Sequence, residues 1–444
     1  MLKTLRCGRK SFHAFQKAVT PKRTFLSEAY RCTEAWQSRL NSPVLQNIDP
    51  ENLFIQINNK HTLKGEISAI DVDIFANILR DKSYIEELLS SVYKLRLTAE
   101  TSNTLESTHH AVIRYLWDHD CTDELMNVLY DRLNYGIFPD YVCYNALMDS
   151  YIKRKDYGSA AKIAVLPMLQ EDFDNPITNA LCIYSCHKYL ENPEVWVKPQ
   201  EPVDDGEEIK IRVKYLINDY FDDHFDLTDP RDLVGKTLAF YGKIMNNTLG
   251  RTCQLRGLIL YKKYEEVSNL IEQWSKDVQD DVVYKEVFDL IKKDNESIPE
   301  EEIGNIMSEL DKLKSKNLCE NSLIEAIESE VRSAIDKQAD IDITNQLKMY
   351  TEWEEKRKKV LEEQTRQMEI ASRLDNVQKI KEEMMKQERL LTFFDEEENI
   401  ELKISEIEAE EEAEMERILK MPKSEKKLRK LKATEEYVPP TISN

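Results

Sequence analysis

The clearest pattern along the chain is an apolar helix face, a polar break and a second helix. In the best copy the apolar positions recur at spacings of three and four, which places them on one face of a helix: Tyr144, Leu147, Met148, Tyr151 and Ile152. A polar break at 153–158 follows, and small residues beginning at Ala160 predict a second, antiparallel helix. A hairpin this small cannot bury its apolar face alone, so it predicts neighbours of the same kind.

Copies of this unit lie about 34 residues away on both sides. They cover 110–129 and 178–184, and a weaker copy covers 74–92. Pro139 and Asp140 suit a helix start, because proline presets its backbone and aspartate accepts bonds from free amides. Helix, turn, helix units of about 34 residues predict an all-α helical-hairpin solenoid of the pentatricopeptide-like type, with a core at Tyr144, Leu147, Tyr151 and Ala160.

The remaining chain changes character several times. Residues 305–421 contain neither glycine nor proline, which predicts a long charged C-terminal helical extension. Its apolar positions lie near sevenfold spacing with interruptions, which suits a coiled-coil seam or a partner-binding surface, and the second is favoured. The predicted order is a presequence (1–25), a leader or cap (26–67), repeats (68–190), an acidic insert with a short helix (191–230), further hairpins (231–292), an acidic linker (293–302), C-terminal helices including the long one (303–395) and a partly disordered acidic then basic tail (396–444).

The first 25 residues carry seven positive charges, and no acidic residue precedes Glu28. Apolar residues lie between these charges, which is typical of a mitochondrial transit peptide. Arg23, Thr24 and Phe25 resemble a matrix-peptidase pattern, so we expect cleavage after about Phe25 and residence in the mitochondrial matrix. A basic tail or a nucleic-acid-binding arm is the alternative. Cleavage changes the net charge from -21 to -28, with 55 basic and 83 acidic residues remaining.

A chain this acidic must bind any RNA through local basic surfaces. Asn145 is the residue that lies clearly at a base-reading position of a well-formed repeat. Phosphate contacts are predicted at two turns and in the tail; the alternative is that these cations only solvate the surface. The candidates are Lys153, Arg154, Lys155, Lys262, Lys263, Lys423, Lys426, Lys427, Arg429 and Lys430.

The sequence predicts no catalytic, cofactor-binding or metal-binding residues and no small-molecule substrate. Gly235, Lys236 and Thr237 end like a phosphate-binding loop, but Pro230 stands where its first glycine belongs. Cys182, Cys186 and His187 suggest a metal site, yet no second ligand pair has zinc-site spacing, so buried helix contacts are predicted. No apolar run approaches the ~20 residues that cross a bilayer, so no membrane insertion is expected.

Several stretches carry a family resemblance: 135–140, 147–153, 168–171 and 350–353, the last entering a charged helix. Over 26–395 the chain resembles the small-subunit protein twenty-seven family, the pentatricopeptide-repeat proteins of the mitochondrial small ribosomal subunit. The resemblance implies a structural protein that supports translation, with small-subunit ribosomal RNA and other small-subunit ribosomal proteins as partners, and no catalysis. The chain departs from the family in its acidic tail beyond Asp395.

The alternative function is that of a free pentatricopeptide-repeat factor that binds RNA in mitochondrial transcript processing or stability. Such factors read one base per repeat through side chains at fixed positions, so they need a series of regular units. The neighbours of Asn145 offer only His110 or Ala111 and Asn179 in poorly aligned registers. The ribosomal reading is therefore preferred.

Overall fold

The prediction of an all-α protein is confirmed. The computed structural model describes residues 25–193, 196, 222–245, 247–277, 281–294, 310–311, 313–314, 316–392 and 397–420. The described α-helices are α1 (Thr33–Ser38), α2 (Pro50–Lys64), α3 (Ala69–Ile78), α4 (Ile85–Arg96), α5 (Glu106–Asp118), α6 (Thr122–Tyr130), α7 (Tyr141–Arg154), α8 (Tyr157–Leu169), α9 (Pro176–Glu191), α10 (Pro230–Met245), α11 (Thr248–Leu260), α12 (Tyr264–Asp277), α13 (Val287–Asp294), α14 (Leu323–Leu391) and α15 (Glu397–Lys420). Short 3-10 helices cover Glu28–Arg31, Arg39–Asn41, Lys82–Tyr84 and Ala99–Asn103.

The only regular β-structure among the described residues is a pair of two-residue strands. β1 (Val283–Tyr284) and β2 (Leu318–Cys319) run parallel, with Val283 opposite Leu318. The chain divides into two units, Met1–Val360 and Leu361–Asn444.

The turns within the hairpins share one backbone geometry. Lys155 and Lys262 adopt left-handed φ angles of 63° and 62° at the ends of α7 and α11. In both turns the left-handed residue donates to a carbonyl three residues back, and the next residue donates to one five residues back. This Schellman arrangement satisfies carbonyls that a helix end leaves free. The two basic turns are therefore equivalent in backbone structure.

The start of each leading helix fixes the register of the hairpins. The N-cap residues of α3, α5, α7 and α9 are Ser68, Leu105, Asp140 and Asn175. The Asp140 side chain accepts from the Cys143 amide at 2.7 Å, as its sequence position suggested. Counting from these caps, the fifth residue is Asp73 in α3, His110 in α5 and Asn145 in α7.

The hydrophobic core of the first unit runs through these hairpins. Tyr144, Leu147 and Ala160 are fully buried and Tyr151 is 4% exposed, and all four belong to one large apolar cluster. A second cluster gathers residues of α11, α12 and α13. Apolar positions at helical spacing therefore lie between helices, as binary patterning requires.

The α10 and α11 helices approach unusually closely because each carries two glycines. Gly235 and Gly242 of α10 face Gly257 and Gly250 of α11, and these are four of the ten glycines in the chain. A Cβ atom on Gly242 would lie 2.5 Å from the Gly250 carbonyl oxygen. Any larger residue would therefore separate the two helices. Gly235 serves this packing, which gives the phosphate-loop-like stretch a structural role.

The second unit is described for the last part of α14 and for α15. The acidic stretch of the expected tail forms α15, which has no buried residue in the described chain. Its glutamate and alanine residues favour helix even without packing. Leu374, Val377 and Met384 of α14 are 62–65% exposed, so the predicted apolar seam is uncovered in this chain. Among the described helices, none is long and apolar enough to cross a membrane.

Candidate functional site

The candidate site is the face on which successive hairpins present their leading helices α3, α5, α7 and α9. Residues 323–357 of α14 lie along it, and we call it the covered face. Leu323, Ile327, Val331 and Trp353 of α14 are buried in the main apolar cluster. Later residues of α14 contact earlier hairpins, so the helix runs against the order of the repeats.

At α7, a polar network encloses Asn145, which is fully buried. Its amide nitrogen donates to the Tyr30 hydroxyl at 2.8 Å, and its amide oxygen accepts from Thr178 Oγ1 at 2.8 Å. Tyr30 in turn donates to Asp342 Oδ2 of α14 at 2.7 Å. Burial, the nearby Asp342 charge and that hydrogen bond raise the pKa of Tyr30, which stays a neutral donor.

At α5, His110 is the centre of a cluster of aromatic rings. Its Nε2 atom lies 3.1 Å from the Tyr350 hydroxyl, and its ring packs 5.2 Å from Trp353 and 4.8 Å from Trp36. Its Nδ1 atom lies 2.6 Å from Asp140 Oδ2. Burial acts to raise the pKa of Asp140, but the His110 ring and bonds from His110 and Cys143 outweigh it and lower the pKa to about 2.

At α3, a buried ion pair joins Asp73 to Arg357 of α14. Arg357 Nε lies 2.6 Å from Asp73 Oδ2, and the two side chains are 4% and 0% exposed. The other oxygen of Asp73 accepts from Ser107, from Thr108 at 2.8 Å and from Asn77 at 3.2 Å. The carboxylate therefore has a charged partner and three further donors.

The structure explains why base reading by Asn145 fails. The fifth residue after the cap is bonded to α14 in α3 and α5, and through Tyr30 in α7. The carbonyl and amide of Asn145 are both engaged, and no exposed surface is left for a base. In this conformation Asn145 is a structural residue of the covered face. Asn179, one turn off register, instead donates to the Phe173 carbonyl.

His110, Asp140 and Cys143 bring three metal-ligand types within 4.8 Å. The 2.6 Å between His110 and Asp140 is a hydrogen-bond length, whereas two ligands of one tetrahedral zinc ion stand about 3.3 Å apart. Burial raises the pKa of the Cys143 thiol well above its usual range, which disfavours a nucleophilic thiolate. Cys143 also shares Nδ1 of His110 with Asp140, so no nucleophile, base and orienting acid stand in series.

Cys182, Cys186 and His187 are buried between helices. Cys182 packs on Met148, with the two sulfur atoms 3.9 Å apart. His187 is held between Arg256, 2.8 Å from Nδ1, and Cys253 Sγ, 3.4 Å from Nε2. Because a guanidinium only donates, Nδ1 of His187 is the acceptor of this bond.

The basic turns are partly neutralised by the chain's own acids. Lys153 pairs with Glu28 at 3.3 Å, Arg154 with Asp120 at 2.5 Å and Lys263 with Asp223 at 2.6 Å. Lys155 and Lys262 are exposed, and no carboxylate of the described residues lies within ion-pair distance of either. The tail candidates Lys423, Lys426, Lys427, Arg429 and Lys430 lie outside the described residues.

Sequence reasoning missed the contribution of the leader. Tyr30 and Trp36 are buried at the covered face and are not part of a peripheral cap. Their aromatic character amid polar residues was a signal, but nothing local showed which surface they join.

Comparison with known families adds independent information. The model of the family described as mitochondrial 28S ribosomal protein S27 matches residues 1–383. That range includes every hairpin and the whole part of α14 that lies on the covered face. The chain therefore belongs to the mitochondrial 28S ribosomal protein S27 family.

Proposed function

We propose that this protein is a structural component of the mitochondrial small ribosomal subunit, located in the matrix, where it supports translation. Its helical repeats, which we infer to be of pentatricopeptide type, serve as a scaffold for small-subunit ribosomal RNA and neighbouring ribosomal proteins. Family membership gives the ribosomal context.

The observation that carries the scaffold role is the occupation of the covered face. A free RNA-binding factor must leave the fifth residue of each leading helix open to a base. Here Asp73 and His110 are bonded to α14, and Asn145 is closed off by Tyr30. The arrangement favours a preformed scaffold over a base-reading groove.

RNA contact by this scaffold is electrostatic and local. Lys155 and Lys262 occupy equivalent left-handed positions in their turns and are free of internal ion pairs within the described chain. Exposed pairs such as Arg154 with Asp120 are weak, so their cations can exchange to phosphate. The tail cations from Lys423 to Lys430 add a second basic segment. Affinity should fall steeply with salt, because each neutralised phosphate releases about one counterion.

Sedimentation of a mitochondrial lysate tests the ribosomal assignment. Comigration with the small subunit is expected, and a peak confined to light fractions would favour the free RNA-binding factor. Replacing Lys155→Glu and Lys262→Glu together should reduce incorporation into the subunit while the chain still folds.

Lys243→Glu is the matched control for these replacements. Lys243 is exposed in the last turn of α10, before α11, whereas Lys262 follows α11. The control therefore reverses one charge at the opposite end of the same helix. Full incorporation of the double variant would leave only a protein-binding role for these turns.

The presequence proposal concerns residues 1–25. The amides of Phe25 and Leu26 both donate to Asp149 Oδ1, at 3.0 and 3.3 Å. A cut on either side of Phe25 would therefore create an α-ammonium group beside a buried carboxylate. Mass spectrometry of the N-terminal peptide of the mitochondrial protein checks this, and an intact Met1 would refute the presequence.

A further inference from the structure

A cavity of about 280 Å³ opens beside the covered face, where α1, α3 and α14 meet. Its walls include the aromatic rings of Trp36, Tyr350 and Trp353 and the guanidinium groups of Arg39 and Arg357. Ser42 and Asn77 complete the polar part of the lining. The volume is close to the lower end of the range for small-molecule sites, about 300 Å³, and it suits a single small ligand.

Arg39 supplies positive charge that the described part of the chain does not neutralise. Its guanidinium stacks 3.6 Å above the Trp36 ring and donates to the backbone carbonyls of Trp36 and Asn77. No carboxylate among the described residues lies within ion-pair distance of it. Burial, with repulsion from Arg114 and Arg357 only partly offset by Asp118, lowers the pKa of Arg39 to about 9. An anion at this place would relieve that cost.

Two buried polar atoms of the lining also have no hydrogen-bond partner. They are the Ser42 hydroxyl and the amide oxygen of Asn77, whose residues are 6% and 1% exposed. The amide oxygen only accepts, so it needs an N–H or O–H donor from a ligand. Leaving such atoms unbonded in a folded protein costs about 1–3 kcal/mol each.

We propose that this cavity binds one nucleotide of single-stranded RNA. A nucleotide combines the three required features, which are an anionic phosphate for Arg39, a base amine for the Asn77 oxygen and a flat ring for the aromatic walls. Inorganic phosphate lacks the last two features. A base inside a duplex cannot enter, because its ring is stacked between neighbours.

This site is independent of base reading by the repeats. Asn77 belongs to α3, but the fifth position of that helix is Asp73, which Arg357 occupies. The proposal also does not depend on ribosomal assembly, because the isolated chain contains the whole cavity. Failure of nucleotide binding and failure of incorporation into the small subunit are therefore separate results.

Quenching of tryptophan fluorescence during titration with AMP, GMP, CMP and UMP tests the site, since Trp36 and Trp353 line it. We expect saturable quenching in about the millimolar range by at least one nucleotide. A single-stranded pentanucleotide containing that base should bind at least as tightly, and the same sequence in a duplex should not bind. Absence of saturation, equal binding of inorganic phosphate or equal binding of the duplex would each overturn the proposal.

Variants assign the binding to this cavity. Arg39→Met should raise the dissociation constant at least tenfold, because it removes the charge that pairs with phosphate. Glu354→Gln removes an exposed negative charge from the lining and should tighten binding, which keeps the test valid if Arg39→Met does not fold. Lys348→Met, exposed on α14 outside the lining, is the control for loss of one positive charge. An unchanged affinity in both Arg39→Met and Glu354→Gln would refute the assignment.

Discussion

The buried ion pair between Asp73 and Arg357 offers the sharpest test of how α14 is held. We expect Arg357→Met to destabilise the protein by about 3 kcal/mol, because removing one member of a buried pair leaves an uncompensated charge. The value is at the low end of the usual range since Asp73 keeps hydrogen bonds from Ser107, Thr108 and Asn77. Methionine preserves most of the apolar stem of the side chain, so the loss reports mainly on the charge.

A double-mutant cycle separates the pair from its surroundings. Asp73→Asn and Arg357→Met are each expected to be costly, and the double variant should cost clearly less than their sum. Urea unfolding followed by tryptophan fluorescence measures each free energy. Lys358→Met is the control, because it removes one charge from the next, exposed position of the same helix.

Hydrogen exchange shows where the protein loosens. In Arg357→Met, amides of 342–357 should exchange faster, while those of α10 and α11 should not change. If Arg357→Met were as stable as Lys358→Met, or if the cycle gave additive energies, the ion pair would not hold α14 on the covered face.

Three further outcomes can be checked by urea or thermal unfolding. Leu147→Asp should cost at least about 3 kcal/mol, because it buries an unpaired charge in the repeat core; unchanged thermal unfolding would contradict the packing. Gly257→Ala should cost about 1–3 kcal/mol by forcing α10 and α11 apart, whereas Lys243→Ala at the exposed end of α10 should have little effect. Asp140, with its pKa lowered to about 2, should contribute stability that is complete above its unfolded pKa of about 3.9 and is lost as pH falls through 2. The urea midpoint should depend less on pH in this window in Asp140→Asn, and an identical slope would refute the assignment.

The sequence determined the local architecture of this protein. Apolar residues at spacings of three and four identify a helix face whatever the helix packs against, so Leu147 and Tyr151 could be placed in a core without a structure. The Asp140 cap was equally readable, because capping depends on groups a few residues apart. The family resemblance, seen in short stretches such as 135–140, is confirmed by the match over 1–383.

Only the tertiary structure decided how the leading helices are used. The interactions on the covered face join residues far apart in the chain: Asp73 and Arg357 are 284 positions apart, and Tyr30 and Asp342 are 312. A polar residue such as Asn145 has the same sequence signal whether it faces water, RNA or another buried amide. The glycines of α10 and α11 were likewise ambiguous, because a residue without a side chain shows no pattern until the opposing backbone is in place. Burial of polar groups depends on partners that local periodicity does not encode, and here α14 and the leader supply those partners.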